Sequence, residues 1–479
     1  MRSAPPSFTI RLDRAFGTCD TMAMKRFPIT LAAVLSVALV ASAKDYFLHS
    51  FKKTQLSDKF WGEGASFGDF NHDGKNDLVS GPYWYEGPTF TKRHEYDATT
   101  RKSPAGSAPF KNKRADGTEE TIEGFEGGLG KNNAYADNFF AFTCDFNKDG
   151  WTDILIMGFP GDLSAWFENP KGKDGHWPKH IVLDVTDNES PTFTDLTGDG
   201  KPEIVCSSKG FYGYAEPDWS DPAKPWKWHP ISPNNNYHKF THGMGVGDVN
   251  GDRRPDLLEK DGWWEQPASL AGDPVWKRHA FPFAPQHGSA QMYAYDVNGD
   301  GRNDVISSLA AHGYGLAWYE HVVESGEITF TKHIILNDLA TPASRPTPNK
   351  YGIVFSQVHA VDLIDMDGDD LKDIVTGKRF WAHGAQGDPD PNAPAVLYWF
   401  QLVRGKDKSV DFLPHLIDDN SGIGTQVVAG DINGDKLPDV VVGNKKGTFV
   451  FLHEKRKVSK EEWEKALPKA APAATASAR

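Results

Sequence analysis

The sequence predicts an all-β fold: a seven-bladed β-propeller with calcium-binding loops, its last blade closed by the N-terminal strand. Three observations predict it. A nine-residue acidic loop recurs seven times, and each copy leads at once into a short apolar run. Histidine-bearing strands follow six of the seven loops, and the missing copy stands near the start of the mature chain, around His49.

The loops come first, because they set the register. Each puts oxygen side chains at positions 1, 3, 5 and 9. The seven sets are Asp69, Asn71, Asp73, Asp77; Asp145, Asn147, Asp149, Asp153; Asp195, Thr197, Asp199, Glu203; Asp248, Asn250, Asp252, Asp256; Asp296, Asn298, Asp300, Asp304; Asp365, Asp367, Asp369, Asp373; and Asp431, Asn433, Asp435, Asp439. A hard cation such as Ca2+ takes six to eight oxygens at about 2.3–2.6 Å, and spacing by two in a tight turn brings alternate side chains to one point. Charge agrees. Beyond residue 43 the chain has net charge −16, and 22 of its carboxylates sit at these ligand positions. Seven divalent ions would leave only about −2, so the acidity needs no basic partner. No basic stripe speaks for nucleic acid.

Around each loop the apolar strand is followed by an aromatic run ending in Glu or Gln, then by the strand with the histidine. Four short strands between Gly, Asn, Asp and Pro turns are the pattern of an antiparallel blade. Pairing the N-terminal strand with the last blade ties the termini together and hides open edges. Residues 44–455 form the propeller, and 456–479 a short helix with a disordered Ala/Pro-rich tail. Residues 1–43 read as an export signal with its true start expected at Met24 or Met22: Lys25 and Arg26, then a short apolar stretch ending in Ala-Ser-Ala at Ala43. A secreted or periplasmic location without a membrane span follows, and of the three cysteines only Cys144 and Cys206 remain after cleavage.

The loops followed by short strands resemble FG-GAP or VCBS repeats. That resemblance implies a calcium-stiffened disc, in which the metal pins a turn and is not a reaction centre. Thr197 and Glu203 depart from the pattern in the third loop. Arg253, Asp370 and Lys436 replace the usual glycine at position six of the fourth, sixth and seventh, where Gly at position four is expected to supply the turn. Those four sites are expected to be weaker.

Subtracting the repeat exposes the irregular residues. His49, His94, His180, His229, His279, His333 and His415 share one repeated position and read as structural. Residues six before each loop share one height at the opposite end of the first strands: Glu63, Phe139, Glu189, His242, Ala290, His359 and Thr425. Two carboxylates and two imidazoles in one ring suit a transition metal such as Zn2+ or acid–base catalysis. Turns opening on that mouth add His312 and His383 as proton-transfer candidates. Lys209, Tyr212, Lys260, Trp263, Tyr314, Lys378 and Arg379 are candidates for substrate binding. The stretch from His242 through Asp252, with Lys260 to Gln266, is similar to the propeller of aldos-2-ulose dehydratase-type proteins, and implies a metal-dependent lyase, dehydratase or isomerase acting on a sugar or sugar acid. The other reading is a non-catalytic module binding a glycan, a polysaccharide-derived ligand or a protein partner.

Overall fold

The computed structural model describes residues 45–97, 110–113, 118–122, 135–284, 288–337, 346–384 and 387–470. The export signal, the last nine residues of the tail and much of the long insertions at 97–136 and 336–357 lie outside them.

Among the described residues, strand pairings group into seven antiparallel ladders of four strands, beside a separate two-stranded pair, Phe110–Lys113 and Glu119–Ile122. The first is Ser66–Gly68, Asp77–Ser80, Tyr83–Tyr85 and Arg93–Glu95. The second is Phe140–Cys144, Asp153–Met157, Asp162–Phe167 and the first half of Lys179–Thr194; the other half of that strand opens the third. Glu203–Ser208, Phe211–Glu216 and Lys227–Pro230 complete the third ladder. The fourth, fifth and sixth begin with Met244–Gly247, Gln291–Tyr295 and Val361–Ile364. The seventh is Val427–Gly430, Asp439–Asn444, Gly447–Val458 and the N-terminal strand Tyr46–Ser57, which pairs from Tyr46↔Val458 to Ser57↔Thr448.

Neighbouring ladders touch in sequence, and the sequence closes. Thr143 donates to the Phe67 carbonyl (2.8 Å), and the Phe142 and Phe193 rings lie 6.1 Å apart. Glu189 N–H donates to the Thr241 carbonyl (2.8 Å), and Met244 pairs with Gln291. Tyr293 reaches the Val361 carbonyl (2.9 Å), Asp362 accepts from Ala429 N–H (2.8 Å), and Thr425 N–H returns to the Glu63 carbonyl (2.9 Å). The fold is a β-propeller. Its inner strands approach so closely that a Cβ on Gly245 would lie 1.9 Å from the Met292 carbonyl. Only Gly fits there.

Apolar side chains alternate into the spaces between ladders, as the apolar runs after each loop require. Leu78, Val79, Ile154, Leu155, Ile204, Val205, Val440 and Val441 are fully buried. The predicted helix spans Lys460–Ala466, capped by Ser459, whose side chain accepts from Glu462 N–H. Among the described residues no helix is long and apolar enough to cross a membrane.

Candidate functional site

Each acidic loop organises its own oxygens. In the first, Asp69 accepts from the N–H groups of Asp73 and Gly74 (3.1 and 2.8 Å), and Asn71 Oδ1 from Asp73 N–H (3.0 Å). Position 9 is different: it is buried and joins two elements. Asp77 accepts from Phe70 N–H (2.9 Å) and, beyond the third strand, from Gly87 N–H (2.8 Å). The same staple recurs at Asp153, Asp256, Asp304, Asp373 and Asp439. Burial pushes these carboxyls up, Asp77 to about 6, Asp256 to about 7 and Asp373 to about 8. Carboxylates spaced and held this way fit a hard metal ion, although Lys171, Lys201 and Arg254 already pair with the position-5 acids Asp149, Asp199 and Asp252.

Both the fourth and sixth loop positions are left-handed in all seven copies. Gly at position four therefore does not relieve position six, contrary to expectation. Arg253, Asp370 and Lys436 adopt φ of 71°, 69° and 71° themselves. The third and sixth loops, expected to be weaker, are the ones in which a ligand atom from each of three carboxylates comes within 4.8 Å: Asp195, Asp199, Glu203 and Asp365, Asp367, Asp373.

At the other end of the first strands, one ligand atom from each of Glu189, His242, His312 and His359 lies within 4.8 Å of the rest. Glu189 sits mid-strand in Lys179–Thr194, where the chain passes from one ladder to the next without a loop. Its Oε2 is 3.3 Å from His242 Nε2 and 3.2 Å from His359 Nε2. His242 Nε2 is 2.9 Å from His312 Nε2. Behind, His242 Nδ1 meets the Phe240 carbonyl at 2.8 Å, which fixes its proton on Nδ1 and leaves Nε2 a lone pair. Arg379 donates to His359 Nε2 (2.9 Å), so that nitrogen is unprotonated, and an ion there would take over the lone pair that Arg379 now holds. Acceptors converging on one point suit a divalent ion with N and O ligands.

Electrostatics reinforce this. Burial, then Arg379, pushes His359 down to about 3, so it stays a neutral imidazole. Burial also lowers His312 well below the usual imidazole range, helped by His359 and His242.

Glu63 does not join the ligand group. Arg379, itself 1% exposed, lies between: its Nε binds Glu63 Oε2 at 3.0 Å, and its Nη1 is 3.5 Å from Glu189 Oε2. Two carboxylates at one height require a cation, and the chain supplies it.

A cavity of about 610 Å³ opens over the cluster, lined by Tyr135, Phe159, Glu189, Phe240, Thr241, His242, Lys260, His312 and His383. Of the predicted substrate-binding residues, Lys260 alone lines it. Trp263 is 1% exposed and stacks on His279 at 4.0 Å, the packing Trp84, Trp166, Trp318 and Trp399 make with their own histidines. Tyr212 is buried against Tyr237, and Lys209 pairs at the surface with Asp184 (2.6 Å). Tyr314 is buried with its hydroxyl on Asp390 (2.7 Å), and buried Lys378 donates to Ser356 (2.9 Å). Arg379 acts beneath the cluster rather than on the wall.

Asp388 was missed: it binds His383 Nδ1 (2.9 Å) and N–H (2.8 Å) from a turn with no repeat register. Lys445 was missed as well. It is buried, donates to the carbonyls of Trp381 and Ala382, and is pushed down to about 8 by burial. It pins the segment carrying Arg379 and His383.

Six of the seven repeated histidines pair with the acid or amide ending the third strand, as His94 with Glu86 (2.7 Å), His279 with Glu265 (2.7 Å) and His333 with Glu320 (2.8 Å), while His49 pairs with His453 (2.8 Å). Clefts of 880 and 400 Å³ lie over two such pairs, at Trp318/His333 and Trp84/His94. Recurrence makes them products of the repeat.

Residues 145–206 match the FG-GAP-like repeat, and 423–451 the FG-GAP repeat. No curated protein matches the sequence. Solved structures similar in part include the Photorhabdus luminescens Tc holotoxin pore, at 15% identity over 72% of this chain and 16% of that one (TM-score 0.35). The exotype rhamnogalacturonan lyase YesX is 11% identical over 85% and 72% (TM-score 0.39), and the Dos1 propeller 8% over 85% and 95% (TM-score 0.41). The chain thus spans about a sixth of the toxin component it matches.

Proposed function

We propose that this chain, an FG-GAP repeat β-propeller protein, is an exported enzyme that uses a divalent transition metal to eliminate water from, or isomerise, a sugar or sugar acid. Calcium in the seven loops stiffens the scaffold. The observation that carries the reading is the convergence of Glu189, His242, His312 and His359 beneath a cavity large enough for a monosaccharide.

A bound divalent ion would supply Lewis acidity toward a substrate carbonyl. The chain's own residues do the rest. Tyr135, Phe159 and Phe240 offer apolar faces against which a sugar ring packs. Lys260 holds substrate oxygens, and His383 and Lys260 are the ionisable wall groups placed to exchange protons with the substrate. Arg379 neutralises Glu63 and Glu189 from below, so the buried carboxylates keep their geometry whether or not substrate is present.

The test is a metal inventory coupled to turnover. Calcium-saturated protein is expected to retain a tightly held transition metal that a His242→Ala, His359→Ala double variant loses. The metal-loaded protein should dehydrate or isomerise members of a panel of ketosugars and uronates, followed by NMR. An unchanged inventory in the variant defeats the metal site. Full metal occupancy with sugar binding but no turnover instead supports a glycan-binding module, a reading favoured by the aromatic wall and by Lys239, whose Nζ lies 4.7 Å over Phe240.

A further inference from the structure

His312 faces two ways. Its Nε2 belongs to the group with Glu189, His242 and His359, while its Nδ1 is buried and has no hydrogen-bond partner among the described residues. Asp388 Oδ1 stands 3.6 Å from that Nδ1, too far for a hydrogen bond. His383 Nδ1 lies 2.9 Å from the same oxygen, and the two imidazole rings are 4.2 Å apart. One ligand atom from each of His312, His383 and Asp388 falls within 4.8 Å of the others. A proton cannot bridge 3.6 Å between nitrogen and oxygen, but a metal ion with bonds of about 2.0–2.2 Å can.

We propose that His312, His383 and Asp388 hold a second divalent transition-metal ion of the Zn2+ class, with the His312 ring bridging it to the first. The bridging rests on the first site proposed above; the three-residue site does not. The two positions differ in kind. The first has four protein ligands and is buried. The second has three, and His383, its side chain 46% exposed, borders the cavity. Three protein ligands with an open position are the arrangement of catalytic rather than structural zinc.

Asp388 is prepared for the role. Its second oxygen accepts from His383 N–H, which fixes the carboxylate before any ion arrives. Protons balance simply. The Nδ1 proton of His383 moves to Nε2, and with the first ion on Nε2 His312 gives up its remaining ring proton to solvent, so one proton leaves as the second ion binds beside the first; without the first ion His312 offers the Nδ1 lone pair and none leaves. Lys260 and Tyr135 are then the ionisable wall residues not engaged as ligands.

The experiment uses the full chain, saturated with Ca2+, exposed to excess Zn2+, desalted and assayed for zinc. Wild type should retain two zinc ions, and Asp388→Asn and His383→Ala one each, with unchanged melting curves showing that the variants fold. One zinc in wild type that survives Asp388→Asn overturns the second site and spares the first. No zinc overturns both. Two zinc ions that survive both substitutions overturn the ligand assignment. With Cu2+ in place of Zn2+, spin coupling across the shared ring should reduce the EPR signal below two spins; two uncoupled spins overturn the bridge.

Discussion

Each first strand has two ends, and they obey different rules. At the loop end, seven copies of one turn repeat the bond from the position-2 N–H to the position-9 carboxylate and the same two left-handed residues. About six residues away, at the mouth, the equivalent positions hold Glu63, Phe139, Glu189, His242, Ala290, His359 and Thr425, no two neighbours alike. Regularity marks what the ring needs everywhere; irregularity marks what it needs once. The loop end should therefore govern stability, and the mouth should govern chemistry.

Chelation should separate the ends most sharply. An ion bound only by the folded loops adds about 2.7 kcal/mol per site when present at 100 times its Kd. EDTA is expected to lower the melting temperature, and no shift in a calorimetric scan would remove calcium from the loops. The pH response should also reverse. The position-9 acids titrate near 6 to 8 when folded, above their unfolded values, so the calcium-free native state binds more protons between about pH 4 and 8. Calcium-free protein should gain stability as pH falls from 8 to 5. Calcium-loaded protein should lose it over the same range, as protons displace the ion. Parallel trends would mean that the staples do not bind metal.

At the mouth, Arg379→Met is expected to cost about 3–5 kcal/mol, because it strands two buried carboxylates. Urea unfolding in the presence and absence of Zn2+ gives the sharper result. A divalent ion beside Glu189 should restore part of the loss, whereas Arg253→Met in a loop should show no such rescue.

How much of this was legible follows from the same contrast. The spacing of the loops placed Glu189, His242 and His359 at one height, because extended strands of equal length convert sequence distance into position. Spacing could not show where side chains aim, so it grouped Glu63 with the ligands and left Arg379 on the wall. Asp388 was illegible, lying in an Asp-Pro-Asp-Pro turn outside the repeat. Trp263 was legible and misassigned: it stands two residues before the acid or amide that ends the third strand, the position that Trp84, Trp318 and Trp399 also hold.

The repeated histidines test that lesson. His279→Ala should cost about 1–2 kcal/mol through lost stacking and the lost bond to Glu265, leaving transition-metal content unchanged. A drop in bound metal would mean that rim and mouth are not separate.

The smallest effect belongs to the sixth loop position. Arg253, Asp370 and Lys436 hold left-handed φ values that cost a side chain roughly 1 kcal/mol. Glycine removes that strain but gives the unfolded chain more freedom, so each substitution to Gly should stabilise by only about 0.5 kcal/mol. The sum over three separated loops should be additive in denaturant midpoints. The identity of position four should not matter: adding Gly434→Asn to Lys436→Gly should cost what Gly434→Asn costs alone. Coupling between them would show that the two left-handed residues share their strain, and that a glycine at either position serves the whole turn.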